Sequence, residues 1–170
     1  MKSIIIKKDN DLKALKFVLY YLHQYNRAHC DYIKNNSNQE HNNKINGDFI
    51  IYDKDKIIGG AIGYIRFKWY FLTDLYLEEE YRKNELGTKI LMEVEKFAKE
   101  QKALGIRVES WDFQAPKFYQ KLGYQVYAIF EDCPPGTKEY LLYKKFVPQA
   151  RTQQKGECNR VNRKDKKNGR

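Results

Sequence analysis

The sequence predicts an α/β domain of the α+β kind: a mixed, largely antiparallel central sheet flanked by helices, in the order β-α-β-β-β-α-β-α-β-β. Three observations predict it. Leu12, Leu15, Leu19 and Leu22 recur at spacings of three and four, and so do Ile90, Leu91, Val94, Phe97 and Ala98, which is the period of an amphipathic helix. The rest of the chain alternates short apolar runs with turn residues, "DKDK" and "PPGT" among them, as hairpins require. With 170 residues, 42% of them hydrophobic and 15% aromatic, the chain is large enough for one domain with a real core.

"SIIIKK" reads as the first strand. The helical segment "DNDLKALKFVLYYLHQYNRAH" follows, with Asp9, Asn10 or Asp11 as its N-cap. "KNNSNQEHNNKING" is polar and aperiodic, hence a loop. "DFIIYD" and "IIGGAIGYIRFKWYFLTDLYL" pair as a hairpin, and the longer run splits near Phe67 to Tyr70 into two strands. Gly59, Gly60 and Gly63 within it mark a bulge or a close backbone approach. A second helix covers "TKILMEVEKFAKEQKAL" and ends at Gly105, and "IRVESW" is a strand. "QAPKFYQKLGY" is a brief helix with Pro116 in its first turn and Gly123 past its end. "YQVYAIFEDC" and "KEYLLYKKF" close the domain as a hairpin. The domain is expected to span residues 1–147, with 148–170 a basic, disordered tail.

Several function classes recede at once. No apolar run approaches ~20 residues, and the start has no secretory pattern, so a cytoplasmic protein that uses no membrane is expected. Cys30, Cys133 and Cys158 are far apart and His23 and His29 do not share a helical face, so no metal site is expected. Of the net charge of +10, residues 151–170 carry +6. That tail has few apolar residues to repay ordering and no aromatics among its charges, which argues against nucleic acid as a partner. An electrostatic arm for RNA is the alternative.

The stretch with most chemical content is "YRKNELGTKIL", residues 81–91. It lies between the strand ending "DLYL" and a helix starting near Thr88. The first amides of a helix have no internal acceptor and sit at the positive end of its dipole, so they attract anions. Gly87 at the corner lets backbone approach a phosphate, Arg82, Lys83 and Lys89 add positive charge, and Thr88 adds a hydroxyl.

"LYLEEEYRKNELGTKILMEVEKFAKEQ" followed by "WDFQAPKFYQKLGYQV" resembles the GNAT superfamily of acyl-CoA-dependent N-acyltransferases, over about residues 45–146. The family carries an Arg/Gln-x-x-Gly-x-Gly/Ala turn before a long helix and a later Ala-x-x-Phe-Tyr-x-x-x-Gly-Tyr/Phe segment. One departure stands out. With Arg82 and Gly87 aligned to the turn, Glu85 occupies the place of its first glycine. A carboxylate beside a pyrophosphate, on a residue that resists positive φ, implies weaker coenzyme binding, with a degenerate site as the alternative.

The resemblance implies transfer of an acetyl group from acetyl-CoA to a primary amine by direct attack in a ternary complex, without a metal. It places the coenzyme on the backbone of Leu75 and Leu77, on the turn formed by Arg82, Lys83, Asn84, Glu85, Leu86, Gly87 and Thr88, and against Gln114 on the opposite wall. Tyr119 matches the tyrosine that sits near the sulfur as acid. Asp74, if Leu75 and Leu77 face inward, points the other way and is the candidate base, with Glu109 and Asp112 as competitors. Aromatics in "YIRFKWYF" and "YAIFEDCPPG" either wall an acceptor pocket or belong to core and sheet surface. Glu131 and Asp132 would suit a cationic amine, and Cys133, with no neighbouring His, is not expected to act as a nucleophile.

The expected function is therefore an N-acetyltransferase acting on a small-molecule or peptide amine, with a homodimer as an open alternative for its assembly. Rival readings are a non-catalytic coenzyme A-binding or interaction module on the same fold, and nucleic-acid binding through the tail.

Overall fold

A computed structural model describes residues 6–8, 10–36 and 44–146. The chain divides between Asn42 and Asn43 into two units, described in turn. In the first, helix α1 spans Leu12–His29, and the Asp11 carboxylate caps it by accepting from the Lys13 amide at 3.2 Å. A short helix α2, Asp31–Asn36, runs into the first three residues of the stretch expected to be a loop, and Ile45–Asn46 near the end of that stretch form a strand. Asp31 in its first turn and Lys34 in its last complement the helix dipole, a local signal that the run of asparagines masked. Of the strand expected over "SIIIKK", residues 3–5 lie outside the described residues and 6–8 are in no strand. The proposed tail from 148 also lies outside them. Among the described residues no helix is long and apolar enough to cross a membrane.

The second unit is a seven-stranded sheet with two helices. Strands β1 (Ile45–Asn46), β2 (Phe49–Asp53), β3 (Lys56–Arg66) and β4 (Trp69–Leu77) precede a single 3-10 turn, Glu79–Tyr81. Helix α3 (Leu86–Glu100), β5 (Gly105–Trp111), α4 (Pro116–Lys121), β6 (Gln125–Glu131) and β7 (Lys138–Lys145) follow. The order across the sheet is β1-β3-β4-β5-β7-β6, with β2 also paired to β3. Every pairing is antiparallel except β4 with β5, because α3 carries the chain across between them. The mixed, largely antiparallel sheet agrees with the expectation.

The core forms where α3 lies on the sheet. Ile90, Leu91, Val94 and Ala98, spaced by one helical face, pack with Tyr70, Leu72, Ile106, Val108 and Leu142. Tyr70 is fully buried, and its hydroxyl donates to the Gly47 carbonyl at 2.8 Å. The β3–β4 hairpin turns at Phe67 and Lys68, both at positive φ, as a two-residue turn demands. Gly59, Gly60 and Gly63 sit where a Cβ would meet the backbone of a facing strand, the close approach expected of them.

Gly105 corrects an expectation. It does not end α3, which stops at Glu100; the left-handed residue after the helix is Lys102, at φ 57°. Gly105 opens β5 instead, where a Cβ would collide with the Lys144 carbonyl and the Trp69 ring. Its lack of a side chain serves strand packing, not helix termination.

Candidate active site

The parallel pairing of β4 with β5 runs from Trp69–Gly105 to Leu72–Val108 and stops. β4 continues to Leu77 and β5 to Trp111, so the strands part beyond that rung. A bulge marks the spot. Ile62 of β3 faces Asp74 and Gly63 faces Leu72, leaving Thr73 as the extra residue of β4. An inserted residue inverts the alternation. Tyr70 and Leu72 are buried before the bulge, Leu75 packs against the core after it, and Asp74 and Tyr76 are exposed on the other face.

Backbone direction follows from the same ladder. The Glu78 amide donates to Ile58 of β3, so Glu78, Tyr76 and Asp74 aim their amides at β3 while Leu75 and Leu77 aim theirs into the gap. The Leu77 carbonyl is engaged there by Arg82 Nε at 2.9 Å. No strand meets the amide of Leu75. Backbone polar groups in such a position need partners.

The gap is the mouth of a cleft of about 760 Å³. Leu72 to Leu77 and Arg82 form one wall; Val108 to Trp111, Phe113, Gln114, Ala115 and Tyr119 form the other, with Glu139 at the rim. Gln114 is fixed by its Oε1, which accepts from the Trp111 amide at 3.0 Å and the Ser110 hydroxyl at 3.4 Å. Its side-chain NH₂ therefore remains as a donor. Tyr119 on α4 is 5% exposed, and among the described residues its hydroxyl meets no hydrogen-bond partner. Burial pushes its phenol up to about 12, so it keeps its proton throughout the neutral range.

At the end of β4 the chain turns into α3 through two left-handed residues, Lys83 at φ 65° and Glu85 at φ 60°. The corner is thus Glu85, the N-cap of α3, and Gly87 lies inside the first helical turn. Gly87 is small for another reason: a Cβ there would stand 3.3 Å from Phe118 Cζ of α4. The Glu85 side chain makes no capping bond, and the first intrahelical bond runs from the Lys89 amide to the Glu85 carbonyl. The amides of Leu86, Gly87 and Thr88 are left as the unfilled donors of a helix start. Lys83, Asn84 and Glu85 are exposed around them.

Other expectations meet a different geometry. Asp112 donates its amide to Lys138 O and does not line the cleft, whereas Glu109 does. Glu131 pairs with Lys138 at 3.0 Å and Asp132 accepts from the Gly136 amide at 3.2 Å, so both serve the β6–β7 hairpin. The aromatics of "YIRFKWYF" and "YAIFEDCPPG" do not line the cleft; Tyr76, Trp111 and Phe113 do. The first group divides between core, as Tyr70, and an opposite-face stack of Tyr64 on Phe71 at 5.3 Å. Trp111, Phe113 and Glu139 carried no local signal, since Glu139 joins the cleft only by pairing with Trp111 across β5 and β7. Among the described residues no group of His, Cys, Asp and Glu could hold a metal ion.

The family model of the acetyltransferase (GNAT) family matches residues 13–124. The chain belongs to that family. It is an acyl-CoA-dependent N-acetyltransferase. A blasticidin-S acetyltransferase of Streptomyces morookaense is 36% identical over 93 residues, covering 54% of this chain and 68% of that protein. A crystal structure of an acetyltransferase from Bacillus cereus ATCC 14579 superposes with a TM-score of 0.68 at 26% identity, over 84% of this chain and 98% of the other. A GNAT family acetyltransferase from Elizabethkingia anophelis with acetyl-CoA bound shares the fold, with a TM-score of 0.53 at 18% identity over 59% of this chain and 76% of that one. In this GNAT chain the parted ends of β4 and β5, Arg82 and Tyr119 line one cleft.

Proposed function

We propose that this acetyltransferase moves an acetyl group from acetyl-CoA to a primary amine of a small molecule, by direct attack with both substrates bound. The observation that carries the reading is the gap opened by the bulge at Thr73, with unpaired β4 backbone on one wall and the buried Tyr119 phenol on the other. The name of the Streptomyces morookaense relative supports a small-molecule acceptor, and the ligand of the Elizabethkingia anophelis structure supports acetyl-CoA as donor.

The residues present fit such a donor. The amides of Leu75 and Leu77 are placed to pair with an extended arm as an added strand would. The NH₂ of Gln114 faces it from the second wall. Leu86, Gly87 and Thr88 offer uncapped helix amides to a diphosphate, and Arg82 and Lys83 add charge around the Asn84–Glu85 corner. Glu85 opposes them with a carboxylate. Bound acetyl-CoA supplies an activated thioester.

Asp74, on the cleft face of β4, accepts the proton an ammonium must lose before its nitrogen attacks. The new N–C bond forms as the C–S bond breaks, the Tyr119 hydroxyl gives its proton to the departing sulfur, and the second proton lost by the acylated nitrogen restores the phenol. Burial keeps the Tyr119 phenol protonated, and so present as a hydrogen-bond donor, while making it a weaker acid.

The test is direct. Acetyl-CoA is mixed with the protein and a panel of amines that includes blasticidin S, while free thiol is followed. Amine-dependent thiol release is expected. Coenzyme binding with no release above background on any amine would instead assign the chain to a non-catalytic coenzyme-binding role.

A further inference from the structure

We infer that the acceptor half of the cleft is built for an amine that carries a second positive group, ammonium or guanidinium, held by Glu109 and Glu139. This rests on the transfer reading given above and adds the class of its acceptor. The charge of the cleft is lopsided. Its lining holds the carboxylates of Asp74, Glu109 and Glu139 against the single guanidinium of Arg82, which is tied to Leu77 O at the coenzyme end. Among the described residues none of the three acids is in an ion pair, whereas Glu78 and Glu80 pair with Lys56, Glu95 with Lys99 and Lys144, and Glu131 with Lys138. Glu139 accepts only from the weak Cys133 thiol, at 3.7 Å.

Topology puts these acids on one face. Glu109 and Trp111 are two apart on β5 and so point the same way, and Glu139 is the cross-strand partner of Trp111. The bulge at Thr73 turns Asp74 to that face too. One proton acceptor suffices for one amine, so two further carboxylates within the same cleft exceed what transfer needs. A cleft lined by an excess of carboxylates attracts a cationic ligand.

Other features point to a ligand in the same cleft. Tyr119 lines the cleft at 5% exposure with an unpartnered hydroxyl. The indole Nε1 of Trp111, in the wall between Glu109 and Glu139, is buried without a partner. Its ring stacks with Phe113 at 5.6 Å and 20° between planes, and Phe113 is exposed. An aromatic face beside carboxylates is the surrounding that a planar guanidinium or an ammonium prefers.

The experiment compares agmatine with n-butylamine, which has the same chain without the guanidinium, in wild type and in Glu109→Gln, Glu139→Gln and double variants. A kcat/KM at least ~10-fold higher for agmatine is expected in wild type, the ratio that one well-placed charge pair supplies. The double variant should lose that preference. Equal kcat/KM for the two amines, or a preference that survives the double variant, overturns the inference while leaving acetyl transfer standing. Calorimetric binding of agmatine reads the site without any transfer. Heat that disappears in the double variant supports the inference even if no amine releases thiol, a result that would overturn only the transfer reading; equal heat in both proteins overturns the inference.

Discussion

Leu72 stands opposite Val108 on the last rung shared by β4 and β5, and the residue after Leu72 is the bulge itself. The gap therefore opens where β4 carries one extra residue. Its edge predicts a backbone effect. Leu75→Pro removes the amide hydrogen that faces the gap, whereas Leu75→Ala removes the side chain and keeps it. Coenzyme affinity should be weaker in the proline variant by about 1 kcal/mol, roughly fivefold, the worth of one hydrogen bond. Equal dissociation constants for the two variants, measured by calorimetry, would show that this amide holds nothing.

Tyr119→Phe should reduce turnover by about 100-fold, within the range for loss of a positioned acid, with little change in coenzyme affinity. Among the described residues the phenol has no hydrogen-bond partner to lose, so the melting temperature should stay close to wild type. Steady-state kinetics and thermal unfolding separate the two effects. A turnover equal to wild type removes Tyr119 from the chemistry.

The same residue sets a pH dependence of stability. Its folded value, pushed up to about 12 by burial, lies above the ordinary tyrosine value of 10.0. Between the two the unfolded chain has released the proton and the folded chain retains it. Stability should then be complete below about pH 10 and fall as pH rises toward 12. Denaturant midpoints across that window should show a smaller loss in Tyr119→Phe than in wild type.

Glu85 holds the left-handed corner with a β-carbon and a negative charge, φ 60° and ψ 0°. Glu85→Gly should stabilise the fold by about 1 kcal/mol through relief of that conformation. It should also tighten acetyl-CoA binding, most at low salt, since the carboxylate faces solvent and is screened. Weaker binding in the variant would mean that the carboxylate assists the coenzyme.

Tyr70→Phe tests the core. It strips the Gly47 carbonyl of its buried donor and should cost about 1–2 kcal/mol, read as a lower denaturant midpoint at unchanged slope. Gly47 and Tyr70 tie the β1–β2 connection to the start of β4, so the loss should be felt across the sheet.

By itself the sequence determined whatever depends on near neighbours. Period, caps and turns placed α1, α3 and α4, the hairpins at Lys54–Asp55 and Phe67–Lys68, and the closing β6–β7 pair, because those choices are made within a few residues. The turn at 81–91 and the segment around Phe118 and Tyr119 were legible for the same reason. Only the tertiary structure decided the rest. Whether Gly105 ended a helix or opened a strand depended on Lys144 and Trp69, and whether Glu85 or Gly87 formed the corner depended on where α3 began packing against Phe118. That Glu109 and Glu139, thirty residues apart, share a face with Asp74 follows from strand register and a bulge. Register is fixed by burying one side of the whole sheet at once, and no short window of sequence contains that information.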